Sequence, residues 1–273
     1  MTRVETGPGG TQRDERTPKS ETPILVYHSV CADPPDWIAP YTVTPAAFAA
    51  HLDAIRASGR QPLTVSHYAD GLRGTASLPP AAVLITVDDG FADFADTALP
   101  ALAERKMPCT LYVTTGALAD WRRESTLPPA RMLHSTDLPG LEAAGVEIGA
   151  HSHTHRHMDV LPAAEVRREL LVSGTLLAEA LGHAIRSFAY PHGYWRRKIL
   201  PQVQEAGFDS ACTVGNSLSH SADRILALPR LEVTAHTDAP AVAAWLAGSG
   251  PPMTARSYRA SAFAWRLYRR LEP

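Results

Sequence analysis

The chain has 273 residues, of which 45% are hydrophobic and 20% charged, and its formal net charge is −2. This length is enough for one large domain with a substantial core, and the nearly neutral charge excludes the basic surface of a nucleic-acid-binding protein. The three cysteines, Cys31, Cys109 and Cys212, are widely separated in the sequence. This spacing argues against a disulfide framework or a cysteine metal site, so we interpret Cys109 and Cys212 as small core residues.

The two ends of the chain differ in composition from the region between them. Residues 1–22 are rich in glycine, proline and charged side chains, which predicts a disordered tail without a secretory signal. No apolar stretch reaches the roughly 20 residues that cross a bilayer, and we expect a cytoplasmic protein. Residues 248–273 predict a C-terminal helix. We expect this helix to dock on the folded domain, with a weak membrane-surface contact as the alternative.

Between these ends, in residues 23–247, short apolar runs alternate with helical patterns. The predicted strands cover residues 23–28, 62–65, 82–88, 109–114, 145–150, 185–190, 209–214 and 226–233. The predicted helices cover residues 45–58, 66–73, 93–106, 136–144, 162–182, 194–206 and 238–247. This alternation predicts a parallel sheet, and seven or eight such units predict a barrel. The stretch 115–135 interrupts the pattern, and we interpret it as a long loop at the rim of the site.

Proline and glycine mark the ends of the predicted helices. Pro45 and Pro162 favour helix starts, because proline is pre-set for the first turn. Four of the helical patterns are followed by a glycine, which favours the left-handed backbone conformation that ends many helices. These glycines are Gly59, Gly145, Gly182 and Gly207.

Polar residues with catalytic potential recur at or near the ends of the predicted strands. They are His28, Asp88, Asp89, His151, His192 and Arg230. In a parallel barrel the carboxyl ends of the strands form one face, and active sites lie on that face. We therefore expect these residues to meet at one site.

The pair Asp88-Asp89 closes strand 82–88 and is followed by Gly90. Adjacent residues at a strand end point to different sides, so one carboxylate could bind a metal while the other faces an attacking water. Gly90 permits the turn that follows. Taken alone, the motif also fits an ordinary Asp-Asp-Gly turn.

Four histidines follow strand 145–150 within seven residues. His151 and His155 are four residues apart, a spacing that can bind one metal ion in a helical turn or a tight loop. With one carboxylate they would supply three ligands and leave one position open, as in catalytic metal sites. A solvent-exposed histidine-rich loop is the alternative. For His153 and His157 we favour simple exposure over a supporting role beside the metal.

The strings TVDDG (86–90), HSHTH (151–155) and RSFAYPHG (186–193) occur in this order along the chain. Together they resemble the polysaccharide deacetylase family, also called carbohydrate esterase family 4 or the NodB-homology family, over roughly residues 23–233. The resemblance implies an α/β fold, a deformed (β/α) barrel of about seven strands. It also implies one divalent metal ion, usually zinc and sometimes cobalt or nickel.

Matched position by position, the resemblance also implies roles for individual residues. Asp88 resembles the general base of the family. Asp89, His151 and His155 resemble its metal ligands. The backbone N–H of His192 lies where the family places an oxyanion-hole donor, usually on a tyrosine.

Two departures from the family pattern concern the residues around the base and the acid. Ala189 follows Phe188 where many members carry an arginine that orients the base, and Arg230 is our candidate replacement, with a surface ion pair as the alternative. No C-terminal Leu-x-His segment supplies the usual acid. The opening VYHSV instead resembles the subgroup that deacetylates poly-N-acetylglucosamine, which makes His28 the candidate acid. His236 is the alternative, and a structural role for His28 is a third interpretation.

The expected function is metal-dependent removal of the N-acetyl group from an N-acetylamino sugar, with release of acetate. The sugar could belong to a saccharide, a glycolipid or a glycosylated small molecule, and a nucleotide-linked sugar is also open. Alternative functions are an O-acetyl esterase on an acetylated glycan and a non-catalytic carbohydrate-binding module. Four aromatic residues after strands could stack on sugar rings or simply pack at the rim. They are Trp37, Tyr41, Tyr194 and Trp195.

Overall fold

The computed structural model describes residues 21–249. The predicted C-terminal helix, except Gly248 and Ser249, and the first 20 residues of the predicted tail lie outside the described residues. Thr22 corrects the boundary of the tail, because it is buried and its N–H donates to the carbonyl oxygen of Ser219 at 2.8 Å. Composition missed this contact because the partner lies far along the chain. Within residues 21–249, no helix combines the length and apolar character that a membrane crossing needs.

A curled parallel sheet forms the centre of the molecule. The strands of the described residues are β1 (Ile24–Tyr27), β2 (Ser29–Val30), β3 (Thr42–Val43), β4 (Gln61–Leu63), β5 (Ala82–Val87), β6 (Cys109–Val113), β7 (Val146–Ala150), β8 (Ser187–Ala189), β9 (Ser210–Cys212) and β10 (Leu231–Glu232). Seven strands follow the order β10-β1-β5-β6-β7-β8-β9, with β4 beside β5 and a separate pair β2-β3. The predicted parallel sheet and deformed barrel of about seven strands are confirmed.

Seven α-helices accompany these strands in the described residues. They are α1 (Pro45–Ala57), α2 (Val65–Arg73), α3 (Leu99–Glu104), α4 (Leu138–Ala143), α5 (Ala163–Leu181), α6 (Leu200–Glu205) and α7 (Ala239–Leu246). The predicted helices 93–106, 136–144 and 194–206 are only partly α-helical. A π turn forms the segment before α3, and 3-10 turns form the segments before α4 and α6. Each of these α-helices begins at a Leu-Pro pair. Proline suits a first turn because it has no N–H to donate.

The predicted helix ends are confirmed with one difference. Thr44 caps α1, accepting the N–H of Ala47 at 3.2 Å, and Pro45 is the first helical residue. Pro162 instead stands one residue before α5, in the capping position. Positive φ values occur at all four predicted glycine ends, which are Gly59, Gly145, Gly182 and Gly207.

Alternation along β5 decides which side chains face the site. Val83 and Ile85 pack in the larger core, against the helices. Leu84 belongs to the smaller core on the opposite side of the strands. Because side chains alternate along a strand, Thr86 and Asp88 face the same side as Leu84. The sequence of one buried strand thus points a carboxylate into the interior of the curled sheet.

The segment 228–232 joins the two edges of the curled sheet. Leu228 forms a parallel bridge with Cys212 of β9, and Leu231 pairs with β1. Arg230 lies between these contacts and is fully buried. Its guanidinium is therefore carried into the interior at the seam of the barrel. Cys109 and Cys212 are free and buried, as predicted.

Candidate active site

The carboxyl ends of several strands face one cavity of about 480 Å³. Four predicted site residues line it, namely His28, Asp89, His155 and His192. Three more are buried close behind it, namely Asp88, His151 and Arg230. All seven therefore meet at the end of the sheet where the sequence places them.

Asp89, His151 and His155 bring three potential ligand atoms within 4.8 Å of one another. The Oδ1 atom of Asp89 lies 3.1 Å from Nε2 of His155 and 3.5 Å from Nε2 of His151. Nδ1 of His151 is 2.9 Å from the carbonyl oxygen of Ala189. This contact favours the proton on Nδ1 and leaves the Nε2 lone pair for a metal.

A second observation on this triad concerns the carboxylate of Asp89. Asp89 Oδ1 is buried and has no hydrogen-bond partner among the described residues. Leaving a buried carboxylate oxygen unpaired is costly, and native structures rarely do so without a reason. Two imidazoles and one carboxylate with an open fourth position are the donor set of catalytic zinc sites. The residues present therefore fit a divalent metal ion.

Burial and charge set the protonation of this triad. Burial lowers the pKa of His151 to about 4. Its ring is therefore neutral at neutral pH, the form that binds a metal. Burial opposes the ionisation of Asp89, but the nearby imidazoles of His155, His28 and His151 outweigh it and hold the pKa of Asp89 below its ordinary value. Both groups are thus in the metal-binding state without further adjustment.

The backbone is left-handed at three of the predicted site residues. The φ angles are 75° at Asp89, 64° at His155 and 57° at His192. Few residues other than glycine adopt this region, although aspartate and histidine tolerate it better than most. Such conformations cost roughly 1–3 kcal/mol each and cluster at functional sites. At Asp89 the turn also separates the direction of its carboxylate from that of Asp88.

Asp88 is held by a buried arginine. The two nitrogens Nη1 and Nη2 of Arg230 donate to Oδ1 and Oδ2 of Asp88 at 2.7 and 2.6 Å. Arg230 also donates to Thr86 Oγ1 at 3.0 Å and to the carbonyl oxygen of Thr213 at 3.0 Å. Burial opposes the charge on Asp88, but Arg230 holds its pKa below its ordinary value. The alternative of a surface ion pair for Arg230 is wrong, because the pair is buried on both sides.

The two candidate acids lie in different places. His28 follows β1, lines the cavity, and its ring centroid is 5.5 Å from that of Tyr41. Its Nδ1 atom is buried without a hydrogen-bond partner among the described residues. His236 is exposed and does not line the cavity. Only His28 is therefore positioned to meet a substrate beside the metal ligands.

The prediction that His153 is exposed is wrong. His153 is buried, with Nδ1 2.8 Å from Thr115 Oγ1 and Nε2 3.3 Å from Glu124. Its N–H donates to Glu169 of α5 at 2.9 Å. It thereby ties the histidine loop to the stretch 115–135. Sequence spacing could not reveal this role, because every partner comes from another part of the chain.

The other rim predictions have mixed outcomes. His157 is half-buried and lines the cavity, and its ring centroid is 4.0 Å from that of His192. Residues 126–128 of the predicted rim loop line the cavity, as do Trp37, Tyr41 and Tyr194. Trp195 packs against the larger core instead.

Sequence reasoning missed two further polar residues in the cavity wall. They are Asn216 and Glu232. Glu232 lies two residues after Arg230, so strand alternation places the two side chains on the same side of β10. That signal was available in the sequence. Asn216 has a left-handed φ of 45° in a loop, for which no periodic signal exists.

Comparison with known proteins gives the family. The sequence model of the polysaccharide deacetylase family matches residues 75–211. The putative polysaccharide deacetylase YxkH of Bacillus subtilis is 22% identical over 215 residues, which are 79% of this chain and 72% of that protein. The chain belongs to the polysaccharide deacetylase family, the NodB-homology family of carbohydrate esterase family 4. It is accordingly a hydrolase of the deacetylase class.

Solved structures show the same fold. The Streptococcus pyogenes deacetylase PplD in complex with acetate has a TM-score of 0.73 at 20% identity, covering 86% of this chain and 100% of that chain. IcaB from Ammonifex degensii has a TM-score of 0.70 at 25% identity, covering 83% of this chain and 97% of that chain. These similarities extend over most of this chain.

Proposed function

We propose that this protein is a metal-dependent N-deacetylase that hydrolyses the acetamide of an N-acetylamino sugar. The convergence of Asp89, His151 and His155 on one cavity, with an unpaired buried carboxylate oxygen, is the observation that carries the proposal. A divalent ion held there, with zinc as the first choice and cobalt or nickel as alternatives, would polarise the acetyl carbonyl and lower the pKa of a water. The acetate in the PplD structure supports an acetyl-bearing substrate for the family.

Asp88 acts as the base in this proposal. Its low pKa keeps it ionised, and the two hydrogen bonds from Arg230 fix its orientation. It takes a proton from the attacking water, whose oxygen bonds to the acetyl carbon. The backbone N–H of His192 donates a hydrogen bond to the carbonyl oxygen as that oxygen gains negative charge.

His28 acts as the acid. Breaking the C–N bond without protonation would expel a strongly basic amide anion, so the nitrogen must receive a proton as it leaves. His28 lines the cavity and has a buried ring nitrogen without a partner among the described residues. The products are acetate and a free amino sugar. An acid at this position favours an amide substrate over an ester, because an alkoxide leaves more easily than an amide anion.

The proposal is tested by acetate release. Purified protein loaded with zinc, cobalt or nickel is offered N-acetylated saccharides of increasing size and the corresponding O-acetyl esters. We expect release from amides that stops when the metal is removed by a chelator. Ester hydrolysis without amide hydrolysis would assign the O-acetyl esterase function, and the absence of both would favour a binding module.

The acid is tested by comparing two histidine variants. His28→Ala should keep metal and fold but lose most amide hydrolysis, on the order of 10²–10⁴-fold, while an ester with a good leaving group is much less affected. His236→Ala is the matched control and should behave like wild type. The opposite result, normal amide turnover in His28→Ala and a large loss in His236→Ala, would move the role to His236.

A further inference from the structure

The cavity contains a second carboxylate that the proposed reaction does not use. Glu232 is half-buried and lines the same cavity as His28 and Asp89. Within residues 21–249 its side chain accepts no hydrogen bond and forms no ion pair, and only its backbone is hydrogen-bonded. A carboxylate in a cavity wall without a partner is available to a ligand.

Glu232 is held in a defined position rather than on a free loop. Its backbone N–H donates to Oδ1 of Asn216 at 3.0 Å, and the N–H of Asn216 donates to the carbonyl oxygen of Arg230 at 2.9 Å. In β10, Glu232 pairs in register with Val26 of β1. The strand that presents His28 and the strand that presents Glu232 are therefore neighbours.

The surroundings of Glu232 favour a cation. Tyr41 and Tyr194 line the same cavity. Burial raises the pKa of Tyr41, and the carboxylate of Glu232 raises it further, as expected for a phenol close to a negative charge. No lysine or arginine lines the cavity among the described residues. Aromatic rings beside a carboxylate form a binding environment for ammonium groups, whereas a phosphate would meet no permanent positive charge from a side chain.

We propose that Glu232 binds an ammonium group of the substrate. The preferred substrate then carries a free amine, as in an acetamido sugar linked to an already deacetylated amino sugar. The inference deepens the proposed N-deacetylation and rests on it for the identity of the reacting group. The binding of the ammonium group itself does not depend on turnover.

The test uses two disaccharides that cannot be deacetylated. The disaccharide of glucosamine carries ammonium groups where cellobiose carries hydroxyl groups, and neither has an acetyl group. Dissociation constants are measured by calorimetry on the metal-loaded protein at about pH 6, where a sugar amine is protonated. We expect the glucosamine disaccharide to bind roughly 3- to 10-fold tighter than cellobiose, and this ratio to fall as ionic strength rises.

The ratio of the two constants in Glu232→Gln is the decisive readout. It should approach one in Glu232→Gln, and it should stay at the wild-type value in Glu179→Gln, which removes the same charge from the exposed side of α5. A ratio near one in wild type, or an unchanged ratio in Glu232→Gln, overturns the proposal. Because cellobiose reports any general damage to the cavity, a misfolded variant lowers both affinities and is recognised.

Turnover separates this inference from the proposed function. Acetate release is compared between the diacetylated disaccharide, its two monoacetylated isomers and UDP-N-acetylglucosamine. We expect at least one monoacetylated isomer to exceed the diacetylated form in kcat/KM by roughly 3- to 10-fold in wild type and to lose that advantage in Glu232→Gln. A preserved binding ratio with no acetate release would reject the proposed function and keep the ammonium site. Acetate release without any preference for amine-bearing substrates would keep the proposed function and reject the ammonium site.

Discussion

Two adjacent aspartates at the end of β5 are about equally buried but differ in their hydrogen-bond partners. Asp88 is 2% exposed and Asp89 3% exposed. Arg230 satisfies both oxygens of Asp88, whereas Oδ1 of Asp89 has no hydrogen-bond partner among the described residues and faces two imidazoles. The difference teaches how two equal carboxylates take different roles. A fixed hydrogen-bond partner orients Asp88 for proton transfer, whereas an oxygen without such a partner leaves Asp89 available to bind a metal ion.

The largest effect is expected when the histidines that would bind a metal ion together with Asp89 are removed. The double variant His151→Ala plus His155→Ala should bind almost no divalent metal and lose acetate release to the background level, because it removes two of the three ligands. Elemental analysis after dialysis measures the metal. His157→Ala is the matched control, since His157 lines the same cavity outside the triad. Wild-type stoichiometry in the double variant would contradict the metal site.

Asp88→Asn tests the role of the aspartate that is hydrogen-bonded to Arg230. This variant should retain metal and lose activity on the order of 10²–10⁴-fold, the usual contribution of a general base. Asp89→Asn should instead weaken metal binding. Metal content and kcat are measured for both. If Asp88→Asn loses the metal and Asp89→Asn keeps it, the division between the two aspartates is reversed.

Arg230→Met should destabilise the protein by about 3–5 kcal/mol at neutral pH, because it leaves the carboxylate of Asp88 buried without its partner. Chemical unfolding of the metal-free protein gives the value. Replacing Asp88 by Asn in the same chain should recover part of the loss. A loss below about 1 kcal/mol in Arg230→Met would show that water or another group satisfies Asp88.

The smallest effect is expected at a similar pair on the surface. Arg186 donates to both oxygens of Asp70 at 3.0 and 2.6 Å, but the side chains are 45% and 27% exposed. Arg186→Met should therefore cost less than about 1 kcal/mol. Hydrogen bonds from Arg186 hold the pKa of Asp70 below its ordinary value in the folded protein. The stabilisation is therefore present above the unfolded pKa of about 3.9 and is lost as pH falls through the folded pKa.

Unfolding at neutral pH and at about pH 3 checks this sign. The difference in stability between wild type and Arg186→Met should shrink at the lower pH, because part of the stabilisation is lost once the pH falls below the unfolded pKa of Asp70. The same comparison for Arg230→Met should also shrink towards acid, because protonation of Asp88 removes the negative charge that Arg230 holds in place. A gap at Arg186 that grows towards acid would contradict the assigned pKa direction.

The parts of the fold set by local pattern were predictable, and those set by distant contacts were not. Every strand of the main sheet overlaps a predicted strand, because apolar β-branched runs are a local signal. The partners of His153 and the bond between Arg230 and Asp88 join residues far apart in sequence, 142 positions in the latter case. Arg230 was a candidate because it lies in a predicted strand and because the usual arginine position holds Ala189. Its contact with Asp88 depends on how segment 228–232 joins the two edges of the sheet, which only the three-dimensional structure shows.

The left-handed backbone at Asp89, His155 and His192 has a consequence for how the family can change over evolutionary time. Glycine would relax each of these positions, while β-branched residues would strain them further. In a relative that no longer needs catalytic activity, replacing these residues would therefore increase the stability of the fold. We expect descendants that have lost activity to show glycine or asparagine there, with the strands of the barrel left intact.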